Sequence, residues 1–149
     1  MKNLIILLVI SALTRCESQS KKNEFIKNAF ITDVGTYSWI NNKSIIVKNI
    51  DDDSKIFGIA DNKNRIIYQQ PMNVVFSNYH KWILYADENE NVYFYNGDYS
   101  ETKALLWNTK SKKYDEVNFC ATEIKLPIEF ENKLLDPTSN FGNCKSLKK

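Results

Sequence analysis

The side chains able to do chemistry are few in this 149-residue chain. There is one histidine, His80, and there are three cysteines, Cys16, Cys120 and Cys144. His80 could serve as a general base, because an unperturbed imidazole titrates near neutrality. It stands in Ser77-Asn78-Tyr79-His80-Lys81, a turn-like stretch without a nucleophile motif nearby, and reads as a surface or structural histidine. Asp87-Glu88-Asn89-Glu90-Asn91-Val92 imitates the start of a calcium loop, with Asp98 at the twelfth position. Such a loop needs glycine at its sixth position, where Val92 stands, so an acidic hairpin turn is the expectation. Asp51-Asp52-Asp53 offers three carboxylates from a single segment, whereas metal sites gather ligands from several, and it reads as a solvated turn. The four glycines, at 35, 58, 97 and 142, are too scattered for a phosphate-cradling loop. Neither a cofactor nor a metal is expected, and the chain is not expected to be an enzyme.

Tyrosines form the other noteworthy group. Alternation along a strand places Tyr93 and Tyr95 on one face and Val92 and Phe94 on the other, while Ile83 and Tyr85 alternate with Trp82 and Leu84. Two readings follow. Either both faces of this hairpin are covered, or Tyr85, Tyr93, Tyr95 and Tyr99 form a recognition surface of rigid rings with polar tips.

The N-terminus carries an address. Met1-Lys2-Asn3 is followed by an uncharged apolar run, Leu4 to Leu13, of ten residues. A membrane-crossing helix needs about 20 residues, so ten after a basic start read as the core of a secretory signal. Leu13-Thr14-Arg15-Cys16 resembles the lipobox of bacterial lipoproteins, in which the cysteine becomes the lipidated first residue of the mature chain. The resemblance covers this segment alone, and here Arg15 stands where the family has a small residue. It implies a palmitate-type anchor at Cys16, a signal peptide over residues 1–15 and a polar tether over 16–22. The domain over 23–149 would then sit on the periplasmic face of a membrane. Cleavage near Ser18 and Ser20 would instead release a soluble periplasmic or secreted protein.

Removing residues 1–15 takes away Lys2 and Arg15 and leaves equal numbers of basic and acidic side chains. A neutral domain has no bulk attraction for phosphates, which argues against nucleic acid as a partner. In an oxidising compartment the remaining even pair, Cys120 and Cys144, is expected to form a disulfide.

The body reads as mainly β. Four hairpins of alternating apolar and β-branched residues recur, over 36–50, 55–70, 81–96 and 103–119, with Asn- and Asp-rich turns between their arms. A further strand is expected over Asn73–Ser77, opening after Pro71. About eight strands in an antiparallel meander would make a sandwich or a small barrel. The second and third hairpins overlay at a spacing of 26 residues, Ala60-Asp61 upon Ala86-Asp87, which convergent hairpin chemistry is enough to explain. Phe25, Ile26, Ala29 and Phe30 suggest a short N-terminal helix capped by Asn23. Leu126, Phe130 and Leu134 suggest a C-terminal helix with Pro127 in its first turn, ended by Asp136-Pro137.

Two functional classes compete, with a small envelope enzyme as a third alternative for which the sequence supplies neither an activated nucleophile nor a metal site. One is a non-catalytic binding protein of the cell envelope, such as an inhibitor or immunity protein, whose partner is another protein. The other is a carrier of a small apolar ligand. Gly35-Thr36-Tyr37, after a short N-terminal helix and before a β meander and C-terminal helix, resembles the G-x-W opening of the lipocalin family, with Tyr37 in the tryptophan's place. That resemblance implies a closed barrel with an apolar cavity.

Overall fold

The computed structural model describes residues 24–135, 141 and 143–147. The signal segment, Cys16 and the tether, Asn23, and the Asp136-Pro137 helix stop lie outside the described residues.

All four hairpins form. They are β3 (Gly35–Ser38) with β4 (Ser44–Asn49), β5 (Ser54–Ala60) with β6 (Ile66–Gln69), β8 (Trp82–Ala86) with β9 (Val92–Asn96), and β10 (Glu101–Asn108) with β11 (Lys113–Asn118). Three two-residue strands, β1 (Glu24–Phe25), β2 (Ala29–Phe30) and β7 (Phe76–Ser77), complete two sheets. The first runs β1-β3-β4-β5-β6 with β7 also on β5, and the second runs β11-β10-β9-β8-β2. Every pairing is antiparallel except β1 on β3. The meander therefore divides between its second and third hairpins and packs as a sandwich. The closed barrel implied by the lipocalin resemblance is not formed: Gly35-Thr36-Tyr37 opens an ordinary strand, and the Tyr37 hydroxyl donates to the Asp33 carbonyl at 2.9 Å.

The alternation explains the packing. Trp39, Ile45, Val47, Phe57, Ile59 and Phe76 from the first sheet meet Leu84, Ala86, Val92, Phe94 and Leu105 from the second, all nearly or wholly excluded from solvent. Each such large side chain contributes roughly 1.5–3 kcal/mol by leaving water. The Trp39 indole N–H also crosses between sheets to the Asp87 carbonyl at 3.0 Å, so this buried donor is satisfied.

The outer face of the second sheet carries a third layer. Ile83, Tyr85, Tyr93 and Ala104 pack against Phe119, Leu126, Phe130, Leu134 and Cys144. Phe130 and Leu134 lie on helix α1 (Ile128–Leu134); Pro127 stands at its N-cap rather than in its first turn, and Leu126 packs from the segment before it. Cys120 and Cys144 are bonded, and the backbone N–H of Lys145 donates to the Cys120 carbonyl at 3.0 Å, laying the C-terminal tail beside the end of β11.

Two expectations are corrected. The helix expected over Phe25–Phe30 is not formed, and Glu24–Phe30 is a kinked ribbon serving both sheets, β1 on β3 and β2 on β8. Asn28 breaks the segment at φ 48°, and its side-chain carbonyl accepts the Glu88 N–H at 2.9 Å. Asparagine tolerates that left-handed geometry better than most residues. The strand expected over Asn73–Ser77 shrinks to Phe76–Ser77. Before it, the Val74 carbonyl accepts from the side chains of Gln70 and Asn96 rather than from the backbone of a neighbouring strand.

Candidate functional site

Antiparallel order sends the β3–β4, β5–β6, β8–β9 and β10–β11 turns to one end of the sandwich. Three of them carry their own internal side-chain fastening. In the β5–β6 turn Asp61 Oδ1 accepts the N–H groups of Lys63 (2.9 Å) and Arg65 (3.0 Å). In the β8–β9 turn Asp87 Oδ1 accepts those of Asn89 and Asn91, each at 2.8 Å. The two turns share this pattern and a left-handed residue at the same offset, Asn64 and Glu90. The 26-residue likeness is thus one of turn geometry. In the β10–β11 turn Asn108 does the same for Lys110 and Ser111, both at 3.1 Å. Side-chain oxygens that bond backbone two to four residues on make rigid, specified loops.

Between these turns lies an open cleft of about 520 Å³. Its floor is an ion pair, Lys43 Nζ to Glu90 Oε1 at 2.9 Å, linking the first sheet to the second. Lys43 is 6% exposed. Its ammonium also sits 3.0 Å from the centroid of the Trp107 ring, a close cation–π contact. Burial lowers the Lys43 pKa; Glu90 opposes that shift and the Lys112 charge adds to it. Behind Trp107, Tyr114 tilts against the ring at 5.0 Å, and burial pushes its phenol far above the ordinary range. At the rim Arg65 holds Asp61 through Nε (2.8 Å) and Nη2 (2.6 Å). These contacts bring the Asp61 carboxyl down to about 2.

Neutralising Glu90 tests the floor. Glu90→Gln keeps the shape and the turn but leaves the Lys43 charge without its counter-charge. The cost is expected to be about 2 kcal/mol, below the figure for a fully enclosed pair because the cleft is open to water. Adding Lys43→Met should restore much of that loss in urea melts. A double variant no more stable than Glu90→Gln would contradict a charge-based cost.

The tyrosines divide. Tyr85 and Tyr93 are 1% and 4% exposed beneath α1, so the four do not make one exposed recognition surface. The reading with both faces covered fits these two. Their hydroxyls reach a smaller hollow of about 330 Å³, where Tyr93 donates to Asp87 Oδ2 at 3.3 Å and Tyr85 to Glu129 Oε2 at 3.5 Å. Burial, then the Glu129 and Asp87 charges, push Tyr85 up to about 12. Tyr95 is half-buried against Phe141, with ring centroids 5.1 Å apart, and Tyr99 is exposed.

The opposite end of the sandwich holds the remaining candidates. His80 Nδ1 lies 3.2 Å from Asp98 Oδ1 on the surface. Asp51-Asp52-Asp53 forms the β4–β5 turn, where the Asp53 N–H donates to Asp51 Oδ1 at 2.9 Å.

Of the cleft residues, Lys43 and Trp107 were not singled out by sequence reasoning, though a signal existed. Lys43 precedes Ile45 and Val47 at a spacing of two, so the alternation that buries them also directs Lys43 inward. Trp107 follows the buried Leu105 in the same way. No protein-family model matches the chain, and neither a curated protein nor a solved structure is significantly similar to it.

Proposed function

We propose that this chain is an exported, non-catalytic binding protein of the cell envelope, of the inhibitor or immunity type, and that it grips another protein with the turn end of its sandwich. The supporting observation is the meeting of four turns around one cleft, with Trp107 at its wall and internal hydrogen bonds fixing three of the turns. Rigid turns on a rigid scaffold bind with little ordering cost. The large side chains buried between the sheets, Trp39, Phe57, Phe76 and Phe94 among them, favour this over a carrier, which needs an interior chamber for its apolar ligand. In this reading the apolar leader exports the chain, and a lipid on Cys16 holds it to the membrane through the 16–22 tether.

The test is site-specific photo-crosslinking in living cells. A photoreactive residue at Thr109, on the exposed tip of the β10–β11 turn, is expected to capture a discrete protein. The same residue at Asp52, on the far end, is expected to capture none. Capture from both positions alike, or from neither, would remove the assignment to the turn end.

A further inference from the structure

The charge arrangement in the cleft narrows the chemistry of what enters it. Three cations line it, Lys43, Arg65 and Lys112, against two carboxylates, Asp61 and Glu90. Each carboxylate is already engaged, Glu90 with Lys43 and Asp61 with Arg65. Lys112 is the surplus cation, and its charge already disfavours the neighbouring Lys43 ammonium. The Arg65 guanidinium has five N–H groups and directs Nε and Nη2 to Asp61, so its Nη1 face is left for a ligand. A surplus of one charge matches one carboxylate. A dianion such as phosphate would meet the fields of Asp61 and Glu90 with no second free cation to balance them. The side chain of Ile67 and the part of the half-buried Trp107 ring that Lys43 and Tyr114 leave open to the cleft supply an apolar wall for the methylenes that carry a side-chain carboxylate.

We propose that the cleft receives a glutamate or aspartate side chain from an acidic segment of the partner protein. The carboxylate pairs with Lys112 and Arg65 while its methylenes lie along Trp107. This rests on the reading of the turn end as a protein-binding surface and adds the chemistry of the segment bound. The entering carboxylate would bring the charges lining the cleft to three of each sign.

The probe is the peptide acetyl-(Gly-Glu)₃-amide, titrated into the ¹⁵N-labelled protein while the Trp107 indole N–H is followed, with Trp107→Phe assigning that signal. A saturable shift is expected that weakens as salt is raised. The glutamine counterpart, acetyl-(Gly-Gln)₃-amide, is expected to leave the signal still at the same concentration. Lys112→Glu should weaken the apparent affinity about tenfold or more, the range expected for reversing a close charge. Lys48→Glu, on the exposed far end of β4, should leave it unchanged. A silent Trp107 signal, an equal response to inorganic phosphate, or equal weakening by both lysine variants would overturn the inference. The crosslinking at Thr109 separates it from the reading beneath. Capture of a protein there, insensitive to Lys112→Glu, would refute the carboxylate while leaving the protein-binding surface standing. Absence of capture would refute the surface itself.

Discussion

Truncation of Phe57 to alanine is expected to lower the free energy of unfolding by about 4 kcal/mol, the upper part of the range for losing a buried phenyl ring. Phe57 is fully buried on β5 and lies among Tyr68, Phe76 and Phe94, with ring centroids at 5.5, 5.8 and 5.2 Å. These rings come from both sheets, so their contacts cannot be replaced by one neighbour shifting. Chemical denaturation would measure the change directly, and Phe57→Leu, which refills most of the space, should recover well over half of it. A loss under about 1.5 kcal/mol for the alanine variant would mean that the two sheets close over the gap, and that the sandwich core is softer than its close packing implies.

Replacing Cys120 by serine ranks second. The bond to Cys144 spans 24 residues of sequence, and cross-linking a loop of that size restricts the unfolded chain by about 3 kcal/mol. At this chain length such a change corresponds to a melting temperature lower by about 10 °C under oxidising conditions. Reductant should bring the unaltered protein down to the same value and leave the variant where it is. Equal melting points for the two oxidised proteins would defeat the prediction. Because the bond fastens the tail beside the layer that covers Tyr85 and Tyr93, the variant should also show those phenols more readily to a solvent quencher than the sandwich tryptophan Trp39.

The sequence made the hairpins legible because two local signals agreed at every one. Alternation set the faces, and Asn or Asp at the turn positions set the reversals, as the shared hydrogen bonds of Asp61 and Asp87 illustrate. The paired cysteines and the spacing of Leu126, Phe130 and Leu134 were legible for similar reasons. Phe25, Ile26, Ala29 and Phe30 were misleading because a spacing of four fits a helix and also fits two short strands separated by a kink. What decided the matter was Asn28 bonding to Glu88, sixty residues away, which no local window contains. The cleft was hidden for a related reason. Lys43, Glu90 and Trp107 each belong to a different hairpin, and a lysine beside two asparagines looks like an ordinary solvated turn. Only the pairing of sheets brings a buried cation, its carboxylate and an aromatic face together. The tyrosines show the converse: their spacing was read correctly, but whether their face met water depended on where α1 came to rest.

The ribbon Glu24–Phe30 has a mechanical meaning. It is stitched to β3 in one sheet and to β8 in the other within seven residues. Tension arriving from the residues before it would load the pairing with β3 first and reach the pairing with β8 only after that one gave way. Between the two, Lys27 and Asn28 hold Glu88 in the β8–β9 turn, so a pull on the N-terminal side would be felt at that turn before any hairpin opened.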